Sequence, residues 1–320
     1  MLTVLALLAL PGCSSPAPSP SPSPSASASS PSASSPSTSA PASPSPSRSP
    51  SPSSSASSPS PSRSPSPSSS ASSPSPSRSS SGPSKPARAR WQPKPGTPWQ
   101  WQLDGRVDPS VDVPVYDIDA FANTAEDVAR LHRDGRRVIC YVNAGAWEEF
   151  RPDAGDFPES LRGEGNGWPG ERWLDIRRLD VLKPLMERRL DLCRDKGFDA
   201  VEPDLVDGYL HDTGFPLTAG HQLAYNRMLA DAAHARGLAI GLKNDLPQIP
   251  QLVGLYDFAV NEECAQYDEC AALTPFIRAG KAVFHVEYAL KNDDFCGEAR
   301  ALGLSSMRKR LDLDPWRKPC

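Results

Sequence analysis

Residues 179–209 read LDVLKPLMERRLDLCRDKGFDAVEPDLVDGY, and the fold can be argued from that line. Leu179 to Lys196 is a long amphipathic stretch of helical character. Gly197 follows it, and glycine adopts positive φ without steric cost, which makes it the usual stop for a helix. A short run, Ala200–Asp204, comes next and ends in carboxylates. Helix, glycine, strand is the repeating unit of a parallel βαβ sheet. The same rhythm extends in both directions. Further strands are expected at Trp99–Leu103, Val113–Asp117, Val138–Asn143, Ala239–Lys243, Phe258–Asn261, Val283–Val286 and Leu304–Met307. Helices are expected at Thr124–Asp134, Thr218–Arg236, Cys264–Ala279 and Asp293–Leu302, with Gly135, Gly237 and Gly280 as further stops. Eight strands of this kind are most economically closed as a (β/α)8 TIM barrel, with an open doubly wound sheet as the alternative.

A barrel carries its functional side chains where the strands end at their C-terminal edge. Those ends hold Tyr116, Asp117 and Asp119; Tyr141 and Asn143; Glu202, Asp204 and Asp207; Lys243, Asn244 and Asp245; Asn261, Glu262 and Glu263; and Glu287 with Tyr288. Single acids there often cap helices, and Asp119 and Asp245 fit that role equally well. The collection as a whole does not, because converging carboxylates cost stability unless cations or a ligand offset them. Two carboxylates facing each other across a cleft are what glycoside hydrolysis needs: one protonates the leaving oxygen, the other attacks or activates water. Residues two apart on a strand point the same way, so Glu202 is expected one layer beneath Asp204. Trp99, Trp101, Trp147, Trp168 and Trp173 are candidates for sugar stacking, one or two of them belonging to the core. The five histidines lack the spacing of a metal site, and His285, within the seventh strand, is expected in the barrel interior.

Outside residues 91–320 the composition changes. Ser14 to Pro86 holds 20 of the 37 prolines and no Val, Ile, Leu, Met or aromatic residue, so it cannot build a core. Arg48, Arg63 and Arg78 recur every 15 residues with SPSPSSSASSPSPS in both gaps. Residues 14–90 are therefore expected to be a disordered Ser/Pro-rich linker, a stalk extending at ~3.1 Å per residue where it adopts polyproline II. Residues 1–13, MLTVLALLALPGC, read as an export signal with a lipobox-like end in which Cys13 would be lipidated. The apolar run is too short to span a bilayer as a helix. The six remaining cysteines, an even number in an exported domain, suggest three disulfides. Of the 15 possible pairings, Cys140–Cys193, Cys264–Cys270 and Cys296–Cys320 are expected, the last tying down the C-terminal tail. Residues 91–320 carry 28 basic and 38 acidic side chains, a formal charge of −10. That balance argues against nucleic acid and suits a cationic partner.

Six motifs, in order, resemble one known family: PWQWQL from Pro98, CYVNAGAWE from Cys140, FDAVEPDLVDGY from Phe198, GLKND from Gly241, NEECAQYDEC from Asn261 and VFHVEY from Val283. The family is glycoside hydrolase family 114, the endo-α-1,4-polygalactosaminidases, and the resemblance covers nearly all of residues 91–320. It implies a TIM-barrel hydrolase that uses no cofactor or metal and cuts within α-1,4-linked galactosamine chains. Carried over, its catalytic pair is Asp204 of the EPD motif, with Glu202 as the second choice, and Glu262 of the NEEC motif. Glu263 stands where the family often has glutamine.

Asp117, Tyr141, Asn143, Glu202, Lys243, Asn244 and Glu287 are expected to line the sugar site around that pair. The expectation as a whole is an exported glycosidase, anchored to the membrane through lipid on Cys13 or secreted, acting on a cationic galactosamine polymer. A cell-surface barrel that binds polysaccharide without turnover and a hydrolase or deacetylase of another hexosamine polymer are the rival readings.

Overall fold

The computed structural model describes residues 90–320; the expected export signal with Cys13 and the expected Ser/Pro-rich linker lie outside the described residues. Eight parallel strands are found among the described residues. They are β1 (Trp99–Gln102), β2 (Val115–Asp119), β3 (Arg137–Asn143), β7 (Ala200–Asp204), β8 (Ala239–Lys243), β9 (Phe258–Glu262), β10 (Val283–Glu287) and β11 (Ser305–Arg308). They pair in that order, and a two-residue strand β12 (Lys318–Pro319) adds antiparallel to β11. Helices α1 (Ala125–Arg133), α2 (Leu179–Lys196), α3 (Ala219–Ala235) and α6 (Asn292–Leu302) and the short α4 (Ile249–Leu252) and α5 (Thr274–Arg278) lie between the strands. This is a (β/α)8 barrel.

Alternation along each strand separates two cores. Trp99, Trp101, Val115, Ile139, Phe258, Val260, Phe284, Val286 and Met307 fill the barrel. Val138, Cys140, Val142, Val201, Ile240, Leu242 and Val283 face outward on to the helices. Gly241 has to be glycine because a Cβ there would lie 2.3 Å from the Phe258 ring. Between β1 and β11 the wall is joined by side chains and loops: the Trp99 indole donates to Ser305 O at 2.8 Å, and Leu313 O accepts the Leu103 N–H at 3.1 Å.

All three expected disulfides form. Cys140–Cys193 ties β3 to α2, Cys264–Cys270 closes the loop after β9, and Cys296–Cys320 ties α6 to the C-terminus. The Cys264–Cys270 bridge explains one difference from expectation. The helix expected from Cys264 begins only after a 3-10 turn at Cys270–Leu273, because the bridged loop places Asp268 at positive φ. The larger difference is a three-stranded antiparallel sheet in the connection from β3 to α2. It consists of β4 (Ala146–Glu148), β5 (Arg162–Gly165) and β6 (Glu171–Leu174), in the order β4-β6-β5.

Candidate active site

Inward positions at the ends of β7, β8 and β9 place Asp204, Lys243 and Glu262 side by side. The buried Lys243 ammonium lies 2.7 Å from Asp204 Oδ1, 3.2 Å from Glu262 Oε2 and 3.2 Å from Glu202 Oε1. Burial alone would lower its pKa, but the three carboxylates outweigh burial and hold it well above the ordinary lysine range. Asp204 is also fixed by the Tyr141 hydroxyl, which donates to Oδ2 at 2.6 Å, and by the Leu205 N–H, which donates to Oδ1 at 2.8 Å. Burial pushes the Asp204 carboxyl up, but Lys243 and these donors reverse that and leave it below the usual range, hence ionised. Glu262 accepts from the Tyr288 hydroxyl. Its backbone N–H donates to Asn244 Oδ1 at 3.0 Å, and the Asn244 amide reaches toward Oε2 at 3.5 Å.

Glu202 and Asp117 form the layer below. Glu202 accepts the Trp101 indole N–H at 3.1 Å. No donor reaches either oxygen of Asp117. Burial, then the neighbouring Glu202, push the Asp117 carboxyl well above its ordinary range, and burial raises Glu202 as well. Both acids are expected site residues, yet neither lines the cleft. Asn143 does not line it either: it is a support whose amide donates to Glu171 at 3.2 Å.

Glu287 was expected in the sugar site and lies elsewhere. Phe284 and Val286 fill the barrel, so alternation turns Glu287 outward, where it accepts from the Ala265 N–H at 2.8 Å and contacts His285 Nε2 at 2.9 Å. His285 is likewise on the outer face, packed edge-on against Phe295 of α6. It lies near Cys264 and Cys270, whose sulfurs are bonded to each other and offer no thiolate to a metal. Asp119 caps the turn after β2, accepting the Phe121 and Ala122 N–H groups at 2.8 Å, while Asp245 caps nothing with its side chain.

Above the pair opens a cleft of about 450 Å³, lined among others by Trp101, Tyr141, Asp204, Lys243, Glu262 and Tyr288. One wall comes from the three-stranded sheet and was not foreseen: Glu148, Phe150, Arg151 and Glu171. The signal available was length, since residues 144–178 far exceed the ~2–6 residues of an ordinary βα loop, and long loops carry function. Arg151 bridges Asp119 and Glu148 at 2.8 Å each. Burial pushes Glu148 up to about 7. Of the candidate stacking residues, Trp99, Trp101 and Trp173 are buried and Trp147 is covered by the Arg162 guanidinium, whereas Trp168 lines the cleft with 55% of its surface exposed. A second hollow of about 480 Å³ continues from the cleft past Tyr288 and Leu311.

The model of Glycoside-hydrolase family GH114 matches residues 80–320. The crystal structure of Aspergillus fumigatus Ega3 in complex with galactosamine is 41% identical, with a TM-score of 0.69 over 73% of this chain and 98% of that one. The glycoside hydrolase domain of PelA from Pseudomonas aeruginosa shares the fold at 14% identity, with a TM-score of 0.55 over 69% of this chain and 97% of that one. No curated protein matches the chain. With a barrel whose rim brings two carboxylates on to one buried ammonium, and with that match over the whole described region, the chain belongs to glycoside hydrolase family GH114 and is a glycosidase.

Proposed function

We propose that the protein is exported and hydrolyses α-1,4-linked galactosamine polymer from within the chain, with Asp204 as nucleophile and Glu262 as acid and base. The observation that carries this reading is the shared Lys243 ammonium. Its 2.7 and 3.2 Å legs bring the facing oxygens of Asp204 and Glu262 within about 6 Å of each other, which is compatible with the ~5–5.5 Å between the carboxyl groups of retaining glycosidases. In the first step Asp204 attacks the anomeric carbon while Glu262 gives its proton to the departing glycosidic oxygen. Water, deprotonated by Glu262, then displaces Asp204 from the anomeric carbon, and the configuration is retained. Asp204 suits attack because it is held ionised; Glu262 suits proton transfer because its side chain is the more open of the two to the cleft.

The substrate reading is supported by the 41% identity to Ega3, solved with galactosamine, and by the acidic cleft wall, which favours a cationic sugar. The hollow beyond Tyr288 gives the polymer room to continue past the cut. Three disulfides support export, and lipid on Cys13 would tether the domain at the membrane. Purified protein should release new reducing ends from partly deacetylated α-1,4-galactosaminan. Asp204→Asn and Glu262→Gln, each folded normally, should lower that rate by roughly 10³-fold or more. Full activity in either variant would remove that residue from the pair. Binding without release by wild type would favour the non-catalytic barrel.

A further inference from the structure

Four carboxyl groups crowd around one ammonium at this end of the barrel. Asp204, Glu262 and Glu202 each lie within ion-pair distance of Lys243, whereas Asp117 lies against Glu202 and has no hydrogen-bond donor of its own. Glu202 and Asp117 are both fully buried, so a second negative charge in this lower layer would have nothing to offset it. The two acids are not equivalent. Glu202 has two groups that favour a charge: the Trp101 indole N–H, which donates to Oε2 at 3.1 Å, and the Lys243 ammonium, 3.2 Å from Oε1. Asp117 is drawn by Lys243 from further off, and its immediate neighbour is itself an acid. One proton carried on Asp117, and given as a hydrogen bond to Glu202, satisfies both.

The other titratable groups that face this pair are Lys243 of β8, Asp204 at the end of β7, Glu262 of β9 and the Tyr141 and Tyr288 hydroxyls. To the same interior β1 brings Trp101 and β11 brings Met307, both neutral. Lys243 is thus the one cation acting on the pair among the described residues, and it is already shared with the two carboxyls above.

We propose that Asp117 and Glu202 hold one proton and one negative charge between them, and that this buried pair fixes Lys243 beneath the cleft and sets the pH window in which Asp204 and Glu262 work. It rests on the roles proposed above for Asp204 and Glu262. In the first step negative charge leaves Asp204, whose oxygen bonds to the anomeric carbon, and appears on Glu262, which gives up its proton. Lys243 touches both carboxyls and has to serve each in turn, which calls for a third anchor whose charge stays constant. Glu202 is that anchor, and Asp117 keeps the charge of the layer at one. The same fixed charge makes it costlier to ionise either carboxyl above it.

The experiment measures kcat/KM against pH for the full-length protein on partly deacetylated α-1,4-galactosaminan, with Glu202→Gln and Asp117→Asn beside wild type. Glu202→Gln keeps the size of the side chain and removes its charge. Asp204 then stays ionised to lower pH and Glu262 gives up its proton at lower pH. Both limbs of the profile should therefore move down together, by about one unit. A merely structural loss would lower kcat and leave the limbs in place. Asp117→Asn puts a neutral amide, still able to donate to Glu202, where the protonated acid stood. Its limbs should stay within about 0.3 unit of wild type, while kcat falls by up to about tenfold. The infrared difference between wild type and Asp117→Asn at neutral pH should contain the carbonyl stretch of a buried protonated carboxyl, a readout that needs neither substrate nor a folded Glu202→Gln. Unmoved limbs in Glu202→Gln, shifted limbs in Asp117→Asn, or a carboxylate band in place of the protonated one would each overturn the pair. If wild type cuts no galactosaminan, the polymer reading fails on its own, and the infrared band still decides where the proton sits.

Discussion

Tyr141 and Lys243 act on the same carboxylate from opposite oxygens, and only one of them can be removed cleanly. Taking away the Lys243 charge would strand Glu202, which is fully buried, and so would confound stability with chemistry. Tyr141→Phe removes one hydroxyl whose bond to Asp204 Oδ2 helps hold that carboxyl low. Without it the Asp204 pKa rises toward the ordinary range, and the ionised form of the proposed nucleophile is lost at a higher pH. The acid limb of the kcat/KM profile should therefore move to higher pH, by about one unit if the bond is worth ~1.4 kcal/mol to the ionised form. An acid limb that stays in place would show that Lys243 and the Leu205 N–H fix Asp204 alone.

At the scale of elements, the strands that carry the site end in a common way. Leu205 follows Asp204 at φ 57°, Asn244 and Asp245 follow Lys243 at φ 48° and 46°, and Glu263 follows Glu262 at φ 61°. Non-glycine residues in the left-handed region cost energy and persist where surroundings over-determine them. One such surrounding is Gly145, just past β3. A Cβ there would lie 1.6 Å from Leu205 O, and the Gly145 N–H donates to Asp204 O at 2.9 Å. Gly145→Ala must push the Asp204–Leu205 corner aside. It should cost ~1–3 kcal/mol in chemical denaturation and reduce kcat/KM at temperatures where the variant is still folded. Wild-type kinetics in a folded Gly145→Ala protein would show that the corner does not set the position of Asp204.

The same corners explain what the sequence could and could not reveal. Asp204, Lys243 and Glu262 end strands whose bounds are read well from apolar runs and glycine stops, and period-two alternation aims them inward. Glu287 ends a strand too, but there the acid holds the outward position and Tyr288, one residue on, lines the cleft. Residue type alone favoured the carboxylate; register decided for the tyrosine. The wall with Glu148, Arg151 and Glu171 was not legible at all, and only Trp168 beside it stood out, by residue type. Its strands of three or four residues are rich in Arg, Glu and Gly and show no alternation strong enough to stand out.

For the whole molecule, the three disulfides close loops of very different length, with sequence separations of 53, 24 and 6 residues. In the chain-entropy account, a longer loop removes more freedom from the unfolded chain. Replacing each pair by alanine should therefore cost about 4 kcal/mol for Cys140–Cys193, about 3 for Cys296–Cys320 and about 2 for Cys264–Cys270, read from denaturant unfolding. Burial of both sulfurs adds to the first of these, since Cys140 and Cys193 are wholly enclosed between β3 and α2. Activity should follow another order. Cys264 comes two residues after Glu262, and its bridge to Cys270 fixes the loop that leaves the left-handed Glu263. The Glu263 N–H bonds Val286 O at 2.9 Å, joining that corner to the strand before Tyr288, whose hydroxyl meets Glu262. The Cys264→Ala, Cys270→Ala protein should thus lose least stability and most kcat of the three. If it were instead the most active of the three, the corner after β9 would hold Glu262 without its bridge, and the disulfide would serve only the persistence of the fold.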